Sequence, residues 1–374
     1  MQNLALKYRP RKFEEIAGQR AVSALLKAMF IKDTMPNVLL LEGSKGSGKT
    51  TTARIVAAAL NCESMNKPCG ECESCTAVFE GNSLAVREID ASSHGLVDDI
   101  RQLQESLMYS VGGSKAVLII DECQGLSKAA SNALLKTLEF PPENTVFILI
   151  TTESNKILPT VRSRCMSFVF RRINIEDIYN RLLLVKTKEN LKLDDSVVYQ
   201  IALKSKGSLR DSLLLMDQLS RAGVSNIQQY SIIFGNTSIG PSLISTMLTG
   251  RHSQVFLEVD KAVEQIGTVN DVLETIIESF RDIIVLKGGG SVVAQNEDLS
   301  QLAKLASEID TKKAVAALRA LWDARIKLRG HEQSPAMLYL VVAAIIDALS
   351  IPVFEENSSL LTFAEMESMI NESA

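Results

Sequence analysis

The chain has 374 residues and no run of about eighteen apolar ones, which excludes a simple membrane-spanning helix. Its opening stretch, MQNLALKYRPRKF, lacks the apolar centre of a secretory signal, so the expected compartment is the cytoplasm, with no membrane partner. Neither sign of charge is in excess. Forty Lys and Arg face 44 Asp and Glu for a net charge of -4, so the surface is not coated in basic residues and nucleic acid would have to meet a local stripe. There is no internal repeat and no long low-complexity tract. What remains is an ordinary globular composition, 22% charged with a mean hydropathy of +0.11, at a length that suits two or three domains.

The stretch with the most organised pattern is Pro36 to Leu60, PNVLLLEGSKGSGKTTTARIVAAAL. Val38, Leu39, Leu40 and Leu41 form the short apolar run of a buried parallel strand. Gly43, Ser44, Lys45, Gly46, Ser47, Gly48, Lys49 and Thr50 then fit G-x-x-x-x-G-K-[ST] at every fixed position, with Thr51 next and a helix starting near Lys49. Glycines at these places let backbone N–H groups turn inward around a polyphosphate, and the helix adds the positive end of its dipole. Lys49 is expected to reach the β and γ phosphates and Thr50 to hold Mg²⁺. Before the loop, Tyr8, Arg9 and Pro10 admit two readings, an extended arm lying across the domain or a cover over the purine. Arg20 to Lys32 has the apolar spacing of a helix.

Four of the six cysteines, Cys62, Cys69, Cys72 and Cys75, lie within fourteen positions, the last three as two C-x-x-C steps sharing Cys72. In a reducing compartment that density points to metal rather than disulfides, and four thiolates suit tetrahedral Zn²⁺. No histidine lies nearby, and a closed four-cysteine site leaves no open position for substrate, so the role read here is structural.

Farther on, Val86 to Asp90 reads as a strand, followed by His94 in a polar turn and a charged helix from Val97 through Leu107. Ala116 to Ile120 is an apolar strand that ends in Asp121 and Glu122. After a phosphate loop, the first carboxylate is expected to hold the Mg²⁺ shell and the second to orient and polarise the attacking water. Ser127 caps a helix to Leu138, and the strand Thr145 to Ile150 ends at Thr151 and Thr152. Thr152 either senses the γ phosphate or is there for its β-propensity. Residues 171 to about 235 read as a small helical domain in which Arg210, in a turn entering a helix from Ser212, either points back toward nucleotide or is a solvated surface arginine. From about residue 236 to 374 the pattern is long amphipathic helices, Val255 to Ile266, Val269 to Leu286, Thr311 to Lys327 and Ala336 to Leu349, with the character of an oligomerisation domain.

This ordered set of motifs resembles the AAA+ clamp-loader ATPases, over Lys7 to about Gln218. The most specific likeness is the four-cysteine insertion directly after the phosphate-loop helix; Tyr8-Arg9-Pro10, Glu88-Ile89-Asp90-Ala91-Ser92, Asp98-Asp99-Ile100-Arg101, Asn132 to Glu139 and Ser163-Arg164-Cys165 also fit. The resemblance implies an α/β fold: a parallel-sheet P-loop domain over 1–170 containing the zinc module (62–75), a helical lid over 171–235, and an all-α collar over 236–374. It implies Arg164 as an arginine finger acting in trans, Thr152 as a first sensor, Arg210 as a second, and ATP, Mg²⁺ and Zn²⁺ as ligands. The implied partners are other loader subunits in a hetero- or homo-oligomeric ring, with five members the expected number, together with a sliding clamp and primer-template DNA. That DNA would be gripped through phosphates by backbone N–H groups and cations such as Arg101 and Lys128. The rival readings are a scaffold that binds ATP without turning it over and a hexameric AAA+ motor on DNA junctions. Three positions depart from the family pattern: Gln124 replaces a usual histidine, Gly125 a bulkier methionine, and Phe140 an acidic residue.

Overall fold

The computed structural model describes residues 3–93, 97, 115–234, 239–248, 252–266, 268–290, 292, 296–327 and 335–350. Arg101, His94, and the helix expected from Val97 through Leu107, apart from Val97, lie outside the described residues. The chain divides into two compact units, Met1–Gln229 and Tyr230–Ala374.

The first unit is built on five parallel strands, β1 (Val38–Gly43), β2 (Val86–Asp90), β3 (Ala116–Asp121), β4 (Thr145–Thr151) and β5 (Met166–Phe170). Their spatial order is β2-β3-β4-β1-β5, with Leu40 opposite Leu149 and Leu118 opposite Phe147. The apolar runs of the three central strands follow from burial on both faces of the sheet. On one face Leu39, Leu41, Val117, Ile119, Ile148 and Ile150 pack with the helix α3 (Lys49–Asn61). On the other, Val38, Leu40, Leu118, Ile120, Phe147 and Leu149 pack with Ala130, Leu134 and Leu138. Because β4 sits between β1 and β3, the phosphate loop, the Asp121–Glu122 tip and the Thr151–Thr152 tip open side by side at one end of the sheet. This is a parallel α/β arrangement with the phosphate loop at the end of a central strand.

Four helices come before β2 in the chain: α1 (Leu4–Lys7), α2 (Arg20–Ile31), α3 and α4 (Glu73–Glu80). The first replaces part of the extended arm: Asn3 caps it, accepting from the Leu6 N–H at 2.9 Å, and buries Leu4 beneath it. α5 (Lys128–Glu139) starts at Ser127, whose Oγ accepts the Ala130 N–H at 3.1 Å. α6 (Pro159–Arg162) is a single turn leading to Arg164. Three helices follow, α7 (Ile175–Glu189), α8 (Asp195–Lys204) and α9 (Leu209–Arg221). α9 begins three residues before the Ser212 expected from the sequence, because Ser208 caps it by accepting the Asp211 N–H at 3.3 Å. Arg210 therefore stands in the first helical turn rather than in a loop.

α10 (Ile227–Phe234) contains the division between the units. The regular structure of the second unit's described residues is all helical: α11 (Ile239–Leu248), α12 (His252–Ile266), α13 (Val269–Lys287), α14 (Asn296–Glu308), α15 (Thr311–Lys327) and α16 (Pro335–Ser350). Phe280, Ile276, Ile283, Ile244, Val342 and Ile345 are among its fully buried core. Gly288 ends α13, and the Gly290 N–H returns to the Val285 carbonyl at 2.9 Å, so the glycine triplet is a helix stop.

Candidate active site

The phosphate loop takes the shape its glycines permit. Gly43, Gly46 and Gly48 all have positive φ, at 147°, 74° and 101°. A Cβ on Gly46 would lie 1.9 Å from Ser208 Oγ, so the loop and the α9 N-terminus approach more closely than any other residue allows. Lys49 folds over the loop, donating to the carbonyls of Gly43 and Ser44 at 2.9 Å each. Burial pushes its pKa down, against the pull of Glu122 and Asp121.

Thr50, on the first turn of α3, donates to Asp121 Oδ2 at 2.7 Å, and Asp121 Oδ1 accepts the Glu122 N–H at 2.9 Å. Burial raises the Asp121 pKa, opposed by the Thr50 hydrogen bond. A hydroxyl and a carboxylate converging beside a phosphate loop are the oxygen donors Mg²⁺ takes, so these two residues fit that ion. Glu122 turns off the strand with φ 48°, a left-handed conformation uncommon outside glycine. Its Oε2 accepts from Thr152 Oγ1 at 3.0 Å and from Gln124 Nε2 at 2.7 Å.

Lys49, Thr50, Asp121, Glu122 and Thr152 line one cavity of about 430 Å³ together with Tyr8, Arg9, Pro10, Lys45, Ser47, Thr51 and Arg210. The N-terminal arm is thus at the pocket wall. Arg9 Nε donates to Thr51 Oγ1 at 3.2 Å, and burial, with Arg54 nearby, lowers its pKa to about 10. Tyr8 is fastened to α7: its hydroxyl donates to Glu189 Oε1 at 2.5 Å, while Arg181 Nη2 donates to the Tyr8 carbonyl at 3.2 Å. The arm is therefore fastened to α7, and Leu209, Arg210 and Leu213 of α9 line the same cavity as the arm.

Arg164 is the predicted residue that the fold keeps away from this cavity. Its Nη1 donates to the Thr160 carbonyl at 2.8 Å, and Nη2 faces Glu139 Oε1 at 3.4 Å. Its Nε is buried without a partner among the described residues. Just before it, Arg162 Nη2 reaches both oxygens of Glu42 at 3.2 Å; that carboxylate is 4% exposed at the end of β1.

The four cysteines form the second cluster. All four sulfurs lie within 4.8 Å of one another, and Cys69 Sγ is 3.9 Å from Cys75 Sγ. A tetrahedron with metal–sulfur bonds of about 2.3 Å has edges of about 3.8 Å, so the set fits Zn²⁺. The Cys69 N–H donates to Cys62 Sγ at 3.4 Å and the Cys72 N–H to Cys69 Sγ at 3.3 Å. Backbone N–H groups of residues 71 and 72 lower the Cys69 pKa to about 6, favouring the ligating thiolate. Cys62 and Cys75 are buried against the α3 side of the core, which anchors the module.

Comparison with known proteins places this geometry. A family model described as "DNA polymerase III, delta subunit" matches residues 18–174. The DNA polymerase III subunit tau of Bacillus subtilis is 35% identical over 288 residues, 75% of this chain and 51% of the relative. Subunit gamma/tau of Mycobacterium bovis is 31% identical over 354 residues, 90% of this chain and 61% of the relative. The chain is DNA polymerase III gamma/tau-like. It spans about half the length of the Bacillus relative. A solved structure of the Thermotoga maritima RuvB Holliday junction branch migration motor superposes with a TM-score of 0.46 at 20% identity, covering 65% of this chain and 80% of that one; at that score the likeness decides nothing about function.

In this gamma/tau-like chain two of the three departures acquire a physical setting. Gln124 is hydrogen-bonded into the Glu122–Thr152 contact. A Cβ on Gly125 would stand 2.9 Å from the Ala91 carbonyl oxygen and 3.0 Å from the Ser92 nitrogen, so the backbone on that side leaves no room for a side chain. Phe140 is 78% exposed and nothing in the structure explains it. Among the pocket residues that sequence reasoning did not single out is the cation Arg54, whose Nε and Nη2 donate to Glu88 at 2.7 and 2.9 Å. It stands four residues after Thr50 on α3, hence on the same helix face, and that spacing was the available signal.

Proposed function

We propose that this chain is an ATPase subunit of the sliding-clamp loader of a bacterial-type DNA polymerase III, coupling ATP binding and hydrolysis to placement of the clamp on primer-template DNA. The observation that carries the reading is the single cavity in which the phosphate loop, the Thr50–Asp121 pair and the Glu122–Thr152 contact meet lid residue Arg210, in a chain with gamma/tau-like sequence.

Lys45 to Thr51 would cradle the polyphosphate, with Lys49 exchanging its two loop carbonyls for phosphate oxygens. Thr50 and Asp121 would hold Mg²⁺, which supplies charge neutralisation at the phosphates when bound. Glu122 orients and polarises the attacking water, Thr152 senses the terminal phosphate, and Arg210 meets it from the lid. Tyr8, Arg9 and Pro10 border the nucleotide. Arg164, remote from its own pocket, acts in trans on a neighbouring subunit in a ring; a guanidinium placed there is worth about 10³ to 10⁵ in rate. To do so it must exchange Glu139 and the Thr160 carbonyl for the neighbour's phosphate. The cysteine module holds a structural Zn²⁺. The helices of the second unit would serve as the ring's collar, and exposed Lys128 contributes to phosphate contacts with DNA.

The deciding experiment measures ATP hydrolysis by the purified chain with and without primed DNA and clamp, alongside Glu122→Gln and Arg164→Ala variants. Each change should abolish stimulated turnover. Mixing the two should restore part of it, because the first supplies an intact finger to the second's intact ATP site. Tight ATP binding without turnover under every condition refutes the proposal. That second reading, a scaffold, draws on one observation: the Glu122 carboxylate is already engaged by Gln124 and Thr152.

A further inference from the structure

The short turn Cys123–Gly125 carries Gln124 beneath the β4 tip, and there the direction of every hydrogen bond is determined. The Glu153 backbone N–H can only donate, and it does so to Thr151 Oγ1 at 3.0 Å. Thr151 sends its single hydroxyl proton to Gln124 Oε1 at 2.7 Å, because a Gln124 amide turned the other way would set its carbonyl oxygen against the Glu122 carboxylate, which can only accept. That orients the Gln124 amide, placing Nε2 against Glu122 Oε2 at 2.7 Å and Thr152 Oγ1 at 3.0 Å. Since Thr152 Oγ1 accepts from Gln124, its own proton goes to Glu122 Oε2 at 3.0 Å. Both N–H donors of Gln124 and one lone pair of its Oε1 are in use, and Thr151 is fully buried, so the network holds the amide in one orientation.

We propose that Gln124 is a positioning residue that sets the state of Glu122: it holds the carboxylate against Thr152 until a terminal phosphate takes the Thr152 proton, and then retains it alone for the attacking water. The inference rests on the reading of Glu122 given under the proposed function. Thr152 has one proton, and it lines the cavity beside the phosphate loop. Rotation of its hydroxyl toward a phosphate oxygen leaves it still accepting from Gln124, and leaves Glu122 with one bond fewer and a lone pair available. No covalent bond changes and no polar group is left unpaired, so the exchange costs little. The carboxylate is thus engaged without nucleotide and released with it, which reconciles the Gln124 departure with hydrolysis.

The test uses the full chain with primed DNA and clamp, comparing the unaltered protein with Gln124→Ala, Gln124→His and Glu122→Gln. kcat and KM for ATP are measured from pH 5.5 to 8.5, and affinity for a fluorescent ATP analogue is measured separately. Gln124→Ala should lower kcat at least ~10-fold, as for a mispositioned general base, with affinity for the analogue unchanged. Gln124→His should retain turnover with a new acid limb at or above about pH 6.5. A neutral imidazole can donate to Glu122 and accept from Thr151, whereas the protonated ring is a donor only and is drawn to the carboxylates of Glu122 and Asp121, with Lys49 the opposing charge. Unchanged kcat in Gln124→Ala, with Glu122→Gln inactive, overturns the inference and leaves the proposed function standing. If Gln124→Ala does not fold, the pH profile of Gln124→His decides, and absence of the acid limb overturns the inference. Full activity of Glu122→Gln, or no turnover by the unaltered chain, overturns both.

Discussion

Gly46→Ala is the sharpest probe of how closely the phosphate loop and the start of α9 approach each other. The new methyl meets three costs. At φ 74° the backbone is left-handed, which costs a non-glycine residue about 1 kcal/mol or somewhat more. The Cβ would lie 1.9 Å from Ser208 Oγ, so that hydroxyl must rotate away and give up its cap on α9, a loss of about 1 kcal/mol. It would still lie 2.8 Å from Ser208 Cβ, and relieving that overlap adds about 1 kcal/mol. The expected destabilisation is therefore about 3 kcal/mol, read as a fall in urea midpoint at unchanged slope in far-UV circular dichroism. Gly81→Ala is the control, since φ there is 78° but nothing lies within 4 Å; it should cost only about 1 kcal/mol. Adding Ser208→Gly to Gly46→Ala removes both the hydroxyl and the clashing Cβ while keeping a tolerated cap residue, and should recover about half the loss. Equal effects of Gly46→Ala and Gly81→Ala, or no recovery in the double variant, would refute the close loop–lid approach.

Two further outcomes follow from the site. Asp121 has its pKa raised by burial, so its ionisation opposes folding at neutral pH, and the penalty vanishes as pH falls below the carboxylate range. Asp121→Asn should accordingly stabilise the nucleotide- and metal-free protein at pH 7, with the gain shrinking toward pH 4; destabilisation at pH 7 would show that the charge is already compensated. The purified chain should contain one zinc by elemental analysis, and chelation or Cys75→Ser should remove it and lower the urea midpoint, because Cys75 is buried against the core around α3. A metal-free chain with unchanged stability in chelator would show that the four sulfurs stay together without an ion.

Local sequence determined much of this. The apolar run ahead of Gly43, the loop pattern, the Asp121–Glu122 strand tip, the Ser127 cap and the cysteine spacing each fall within a few residues, where backbone sterics and hydrogen-bond geometry dictate the form. The α9 start lies three residues before the Ser212 expected from the sequence, although Leu209 already continues the spacing of Leu213 and Met216; the Ser208 cap finds its partner only once the helix forms. The assembly of the site was a matter of tertiary structure. Thr50 meets Asp121 across 71 positions of chain, Thr152 meets Glu122 across 30, and Tyr8 meets Glu189 across 181. Those contacts depend on β4 lying between β1 and β3 and on the lid helices folding back to the N-terminal arm, choices made by burial of the whole sheet. Gln124 shows the difference most clearly. As a letter in the chain it is a departure from a family pattern; its two donors and one acceptor acquire meaning only when packing brings Thr151 and Thr152 within reach, since a hydrogen bond is decided by distance in space.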